Sequence, residues 1–288
     1  MNAILICPGE RSNVGFLSIS SPLINVPLLG EPVIGHWLTA LHAQGYRRAL
    51  ILAADRPEQT ASLVDHGARW GVHVEVRSET RELLPEEALR KYGQSELPVD
   101  AASVFVIDHL PGLEFNLFES YRQWFSSALA WLPHWSKQPR VGITELQPGV
   151  WIGMRTHVAP SARLIAPCWL GDNVWIGEDA VIGPNAIVEH RVVIESAAEV
   201  VQSFIGPETF VGSLTTVNQS IAWGSMLINW RNGSCTTVPD AFLLCPLTPG
   251  SFTRRYHHLT NRLTENFINS LTRPFEFLAA ARAKLGNR

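Results

Sequence analysis

Aliphatic residues recur at every sixth position through the middle of the chain. Nine successive positions with this spacing carry Ile, Val or Leu, namely Ile152, Val158, Leu164, Leu170, Ile176, Ile182, Val188, Ile194 and Val200. Small or β-branched residues keep the same spacing four positions further on, from Thr156 to Ala198. A short repeat of fixed length predicts a β-solenoid, whose coils stack their aliphatic side chains on one another because a single coil cannot bury its own interior.

The repeat also predicts the extent of the solenoid and the length of its coils. Three six-residue faces make a triangular coil of about eighteen residues. The spacing shortens by one residue between Val200 and Ile205, resumes at Val211 and Val217, and is irregular afterwards. We therefore expect a left-handed parallel β-helix over residues 149–247, with a distorted last coil.

Strand-like and helix-like segments alternate before the solenoid. Short apolar runs predict strands at 3–7, 47–53, 72–76 and 104–108. Helical spacing predicts one helix that begins at Glu31 and ends near Gly45, and a second over 57–70. This order is typical of a mostly parallel sheet that binds ligands near the carboxyl ends of its strands. Residues 1–140 are therefore predicted to form a shortened, Rossmann-like α/β domain.

The last segment of the chain has a different pattern. Apolar residues recur at helical spacing between Tyr256 and Leu278, and seven basic residues oppose two acidic ones over residues 251–288. This pattern predicts a basic amphipathic helical tail. Two interpretations remain open, because such a helix can pack on its own protein or dock on a membrane surface or a membrane-bound enzyme.

Charge and cysteine usage narrow the class of protein. A net charge of -3 offers no electrostatic attraction for nucleic acid. No apolar run reaches the ~20 residues of a membrane span, and the first residues lack the basic region of a secretory signal. The four cysteines are not spaced as metal ligands. We therefore expect a cytoplasmic protein with reduced cysteines, whose tail is its only candidate contact with the inner membrane.

The loop after the first strand carries a motif. The run Cys7-Pro8-Gly9-Glu10-Arg11 begins at the last residue of the strand. After it, Pro22, Pro27, Gly30 and Pro32 keep the spacing of the signature G-G-x-G-T-R-x-R-P-L-T and P-K-P-L-L-P-V-x-G-K-P. The chain thus resembles the sugar-1-phosphate nucleotidyltransferases, such as the mannose-1-phosphate guanylyltransferases, in which an α/β domain precedes a hexapeptide solenoid. The resemblance implies a nucleotide or sugar-nucleotide site formed by Cys7, Pro8, Gly9, Glu10, Arg11 and Glu79, and a Mg²⁺ ligand at Asp108.

Several positions depart from the family pattern. Gly15 stands where the family has its phosphate-gripping Arg, and Leu23 stands where it has Lys. Both glycines of the family's base-reading loop are replaced, by Leu84 and Glu87. Because a cation aimed at a transferring phosphate contributes two or more orders of magnitude in rate, these replacements predict reduced or lost catalysis.

A closer likeness is to the nucleotidyltransferase-like regions associated with polyprenyl-phosphate sugar transferases of bacterial exopolysaccharide systems. The segments 53–59, 108–113 and 236–244 are similar to parts of that group. The resemblance implies a nucleotide-binding, sugar-nucleotide-binding or assembly subunit, with such a transferase as a candidate partner. The alternative is an active Mg²⁺-dependent nucleotidyltransferase, in which Arg11 would steady the phosphates and Asp108 would hold the metal.

A third interpretation is a hexapeptide acyltransferase, a class that uses a His as general base. His157 and His190 lie within the repeat, and at these outward positions we expect both to be solvated. The aromatic helical stripe that contains Trp124, Trp131 and Trp135 is expected to pack in a core or between domains rather than to bind a sugar. Solenoids often self-associate, so we also expect a homo-oligomer.

Overall fold

Four parallel strands form the first layer of the protein. The computed structural model describes residues 1–93, 99–136 and 142–247, apart from the side chains of residues 135 and 136. The first elements are β1 (Asn2–Ile6), β2 (Pro27–Leu28), β3 (Glu31–Pro32), α1 (Val33–Ala43), β4 (Arg48–Ala53), α2 (Pro57–Val64), β5 (His73–Ser78), α3 (Pro85–Tyr92), β6 (Val104–Val106) and α4 (Tyr121–Ser136). The sheet has the order β5-β4-β1-β6, and all its pairs are parallel. The predicted parallel sheet is confirmed.

The second predicted helix is shorter than expected. It ends at Val64, because Asp65, His66 and Gly67 adopt left-handed backbone angles with φ of 38°, 56° and 79°. A 3-10 segment, Asp65–Trp70, then carries the chain to β5. A Cβ on Gly67 would lie 2.0 Å from the carbonyl oxygen of Val72, so the tight return toward β5 requires glycine there. The prediction of a continuous helix over 57–70 is wrong for this reason.

A stack of short strands follows the α/β layer. Its elements are β7 (Thr144–Gln147), β8 (Val150–Ile152), β9 (His157–Val158), β10 (Arg163–Leu164), β11 (Cys168–Leu170), β12 (Trp175–Ile176), β13 (Val181–Ile182), β14 (Ala186–Val188), β15 (Val193–Ile194), β16 (Glu199–Val201), β17 (Ser203–Ile205), β18 (Thr209–Val211), β19 (Thr216–Asn218), β20 (Ser220–Trp223), β21 (Met226–Asn229), β22 (Cys235–Thr237) and β23 (Leu244–Pro246). From β8 to β20 the strands fall into three parallel sheets, as in a parallel β-helix. The handedness of the coil stays a prediction.

The strand register confirms the predicted coil length. Trp169 pairs with Trp151 and with Ile187, so successive coils are eighteen residues apart. Ile187 then pairs with Phe204, and the separation falls to seventeen, where the sequence repeat loses one residue. The interior is a continuous apolar core, in which Leu170, Ile182, Ile194 and their equivalents in later coils are buried, whereas Ile152, Val158 and Leu164 of the first coil are partly buried.

Antiparallel strands complete the last coil. Strand β21 pairs with β20 and with β22, and β23 pairs with β18, all antiparallel. The expected distortion after Val217 is therefore confirmed. At the other end, β7 pairs antiparallel with the first solenoid strand, β8.

Outward side chains give the three faces of the solenoid different characters. The covered face, on β8, β11, β14, β17 and β20, presents Trp169, Ile187, Phe204 and Ile221, all buried. The open aromatic face, on β9, β12, β15 and β18, presents His157, Trp175, Val193 and Phe210. The polar face, on β10, β13, β16 and β19, presents Arg163, Val181, Glu199 and Thr216.

Helix α4 packs on the covered face. The rings of Trp124 and Phe204 meet edge to face, with centroids 4.5 Å apart. Phe125 stacks on Trp230, a residue just after β21, at 5.1 Å. Trp131 is also buried. The prediction that this aromatic stripe serves packing is confirmed for these residues, whereas the side chain of Trp135 lies outside the described residues.

Contacts group the described residues up to Leu247 into one unit. The α/β layer and the solenoid thus form a single unit, and the boundary between them near residues 140–149 stays a prediction. The tail predicted over 251–288, with both interpretations of it, lies outside the described residues. Within the described ranges, no helix combines the length and apolar content needed to cross a membrane.

Truncation of Phe204 tests the joint between the two layers. Because this ring is fully buried against Trp124, we expect Phe204→Ala to lower the free energy of unfolding by about 3–5 kcal/mol. Thr216→Ala, at an exposed position on the polar face, should change it by less than about 0.5 kcal/mol. Urea unfolding followed by tryptophan fluorescence measures both. Equal effects of the two substitutions would contradict a stabilising contribution from the covered face.

Candidate functional site

The loop after β1 is the first candidate for ligand binding. It starts at the carboxyl end of the sheet, where the amide of Cys7 donates to the carbonyl oxygen of Leu52. The amide of Gly9 donates to a carboxylate oxygen of Glu82 at 2.9 Å, and the guanidinium of Arg11 donates to the same oxygen at 2.7 Å. The two groups best suited to hold a nucleotide phosphate therefore hold a side chain of the protein itself.

Glu82 comes from the segment between β5 and α3. Its side chain is 28% exposed and that of Arg11 is 37% exposed, so water screens the ion pair only in part. Sequence reasoning missed Glu82. The available signal was its place in the segment 79–89, which aligns with the family's base-reading loop and so should face the phosphate loop.

The remaining residues of the loop lack the chemistry of a nucleophile or a phosphate clamp. Pro8 is buried and Glu10 is exposed. Burial, together with the negative charge of Glu82, raises the pKa of the Cys7 thiol far above its usual range, so Cys7 stays protonated and unreactive. Leu23, at the position of the family's Lys, is part of the core, and Gly15 has no side chain to offer.

Glu79, one of the predicted nucleotide-binding residues, belongs to a compact polar cluster. Its carboxylate accepts hydrogen bonds from the ammonium of Lys91 at 2.7 and 2.9 Å and from the hydroxyl of Tyr92 at 2.5 Å. Its side chain is only 6% exposed. Burial opposes ionisation, but the hydrogen bonds from Lys91 and Tyr92 outweigh it and lower the pKa of Glu79. The carboxylate is thus ionised and occupied by residues of α3.

Asp108, the predicted metal ligand, lies two residues after β6. Its carboxylate contacts Nδ1 of His109 at 2.6 Å, and both side chains are about one-third exposed. Mg²⁺ requires an octahedral set of oxygen ligands. In the described part of the chain, no group of three or more His, Cys, Asp or Glu could hold a metal ion. Because Mg²⁺ can also be held by one or two carboxylates together with waters and substrate phosphates, the Mg²⁺ ligand at Asp108 stays a prediction.

A second ion pair stabilises the far side of the loop. Arg56 binds both carboxylate oxygens of Asp55 at 2.7 Å, and it also donates to the carbonyl oxygen of Ser18 at 2.6 Å. The hydrogen bond to Asp55 is the main cause of a raised pKa of Arg56. The segment aligned with the family's phosphate loop is therefore tied to the carboxyl end of β4 through Arg56, which lies in the segment 53–59.

His157 lies at the open end of the solenoid. It is exposed, as expected, and its ring stacks on Trp175 with centroids 4.1 Å apart. It borders a cavity of about 500 Å³ at the first coil. The lining includes Ile152, Val158 and Leu164, whose counterparts in later coils are fully buried.

His190 is not the solvated residue that its outward position predicts. Its Nδ1 accepts a hydrogen bond from the amide of Asp172 at 2.6 Å, so the proton lies on Nε2, which contacts the carbonyl oxygen of Gly30 at 3.2 Å. A Cβ on Gly30 would lie 2.6 Å from Nε2. Nδ1 is thus engaged within the solenoid and Nε2 joins the solenoid to the β2–β3 turn, so neither nitrogen is free to act as a base.

Glu189, the neighbour of His190, also binds the β2–β3 turn. It is fully buried and accepts a hydrogen bond from the amide of Gly30 at 3.1 Å. Burial raises the pKa of Glu189 to about 8, against the opposing effect of hydrogen bonds from the amides of Gly30, Leu29 and His190. We call Glu189, His190 and the Leu29–Gly30 turn the latch. Sequence reasoning missed Glu189, because Glu195 follows its own aliphatic residue in the same way and the sequence does not distinguish the two.

No protein-family model and no curated protein matches the chain. Among solved structures, the chain is similar to a histidine-to-alanine mutant of GDP-perosamine N-acetyl transferase from Caulobacter crescentus, in complex with CoA and GDP-perosamine. A histidine-to-asparagine mutant of perosamine N-acetyltransferase from the same organism, with the same ligands, is also similar. Each match has 15% identity and a TM-score of 0.16, and covers 62% of this chain and 93% of the other. A TM-score this low assigns neither fold nor function.

The latch makes stability depend on pH. The folded-state pKa of Glu189, about 8, exceeds the usual value of about 4.3 in an unfolded chain. Its protonated form therefore favours folding at low pH, and this contribution is lost as pH rises through about 8. We expect the free energy of unfolding to fall by up to about 1.4 kcal/mol per pH unit between these values.

Glu189→Gln should remove this component, because an amide keeps an acceptor for Gly30 but does not ionise. Urea unfolding of both proteins from pH 5 to 9 measures it. Glu195→Gln, at the edge of the open aromatic face, is the control. Its free energy of unfolding should change with pH as that of the unmodified protein does. If the curves for Glu189→Gln and the unmodified protein ran parallel, Glu189 would not titrate across this range.

Proposed function

We propose that the chain is a catalytically reduced, nucleotidyltransferase-like protein that serves as an assembly subunit in bacterial exopolysaccharide synthesis. One observation carries the proposal: the carboxylate of Glu82 occupies the amide of Gly9 and the guanidinium of Arg11. A carboxylate in this place repels the phosphates that the loop would otherwise bind. The candidate partner is a polyprenyl-phosphate sugar transferase, the class suggested by segments 53–59, 108–113 and 236–244.

The state of the other candidate groups supports the same conclusion. Phosphoryl and nucleotidyl transfer depend on cations and metal ions that neutralise the charge developing on phosphate oxygens. Here Leu23 is buried where a lysine would be needed. Glu79 is held by Lys91 and Tyr92, and Asp108 contacts His109. Leu23 and Glu79 therefore offer the reaction neither a cation nor a free carboxylate.

Removal of Glu82 should open the loop to phosphates. We expect Glu82→Ala to bind nucleoside triphosphates or sugar nucleotides at least about tenfold more tightly than the unmodified protein, a gain of about 1.4 kcal/mol. The gain should be lost in Glu82→Ala combined with Arg11→Ala, because both anion partners are then absent. Isothermal titration calorimetry against a panel of both ligand classes, with and without Mg²⁺, measures these affinities.

Glu86→Ala is the matched control, because Glu86 is an exposed acid in the first turn of α3. It should bind no better than the unmodified protein. Equal affinity of the unmodified protein and Glu82→Ala would contradict a closed loop. Robust pyrophosphate release by the unmodified protein, lost in Asp108→Ala, would instead establish the active sugar-1-phosphate nucleotidyltransferase.

Acyl transfer is a second candidate function, favoured by the placement of His157. Its ring is exposed beside the cavity at the first coil, where a general base could meet an acyl donor. An assay of free CoA release from acetyl-CoA with amino-sugar nucleotides would test it. Release that depends on His157, and that persists in His190→Ala, would favour this candidate over the assembly role.

A further inference from the structure

The open aromatic face differs from the other exposed face of the solenoid. Trp175 of β12 is 51% exposed, and Val193 and Phe210 continue the row in the next two coils, both half-buried. Cys245 of β23 extends it by one more strand. A solvent-facing sheet normally alternates apolar and polar residues, as the polar face does. The row is therefore a flat apolar strip, which marks an interaction surface.

The two edges of this face carry different charges. The edge where the chain enters β9, β12 and β15 bears Arg155 and Arg191, together with Asp172, whose carboxylate accepts a hydrogen bond from the amide of Met154. The edge where it leaves β12 and β15 bears Glu178, Asp179 and Glu195. Arg191 pairs with Glu208, whereas Arg155 and the three acids form no salt bridge with any residue that the structure describes. Unpaired charge of opposite sign thus flanks the apolar strip.

We propose that two copies of the chain pack side by side through the open aromatic face, about a two-fold axis parallel to the solenoid. Such an axis brings the apolar row of one copy against the same row of the other. It also places the entry edge of each copy against the exit edge of its partner, so that arginines meet acids. An isologous contact of this kind requires a surface that complements itself.

Charge selects this arrangement over its alternative. A two-fold axis perpendicular to the solenoid, running along the strands, would bring each edge against its own copy and set acids against acids. Adjacent coils are about 4.8 Å apart, so Arg155 in the first coil can reach Glu178 in the second coil of the partner. The proposal is independent of the proposed function, because it uses no residue of the loop after β1.

Sedimentation velocity of the full chain, from about 1 to 100 μM, tests the contact. The unmodified protein should be a dimer, and Trp175→Glu should raise the dissociation constant at least about a hundredfold, because two charges would be buried against an apolar row. Val181→Glu places the same charge at an outward position on the polar face and should leave the dimer intact. Far-ultraviolet circular dichroism confirms that both variants remain folded.

A charge exchange tests the orientation of the two copies. Arg155→Glu alone and Glu178→Arg alone should each weaken the dimer by about tenfold, and the double variant should recover at least half of the lost free energy. Recovery needs the two edges to face each other, so its absence would overturn the parallel arrangement. A monomeric unmodified protein, or equal sensitivity to Val181→Glu, would overturn the contact itself.

Discussion

Burial of the covered face is the constraint on which the rest of the structure depends. The solenoid presents Trp169, Ile187, Phe204 and Ile221 outward, and these side chains reach 0–1% exposure only because other parts of the chain lie over them. Helix α4 supplies much of this cover through Trp124. Since the hydrophobic effect scales with the area removed from water, separation of the two layers would expose a row of large apolar groups.

The latch adds direction to that apolar contact. Hydrophobic burial is not directional, whereas hydrogen bonds to Glu189 and His190 fix the Leu29–Gly30 turn in one place. Leu29 takes a left-handed conformation with φ of 52°, which is unusual for a leucine. A strained residue persists only where its surroundings hold it, and here the wall of the solenoid does so. The wall of the solenoid thus fixes the position of the Leu29–Gly30 turn.

The sequence predicted the solenoid well because its information is local. A six-residue repeat determines which side chains point inward, and even the shortened coil at Phe204 was visible as a shift in spacing. The contact of Glu82 with Gly9 and Arg11 was beyond such reasoning, because it joins distant segments. His190 was misjudged for a related reason. The repeat shows that a side chain points outward, but it does not show whether water or another layer of the protein covers that side chain.

The corners of the solenoid store conformational strain. Left-handed angles with φ between 48° and 57° occur at Arg155, Asn173, Asp179, Asn185, Arg191, Ala197, Gln202, Glu208, Leu214 and Gln219. This conformation costs a residue other than glycine roughly 1–2 kcal/mol, and less for Asn or Asp. The stacking of the coils must therefore offset this conformational free energy in every turn of the solenoid. Each corner can therefore be changed independently of the others. Substitution of a corner residue by Asn or Gly would relax the backbone there and leave the side chains of the three faces unchanged.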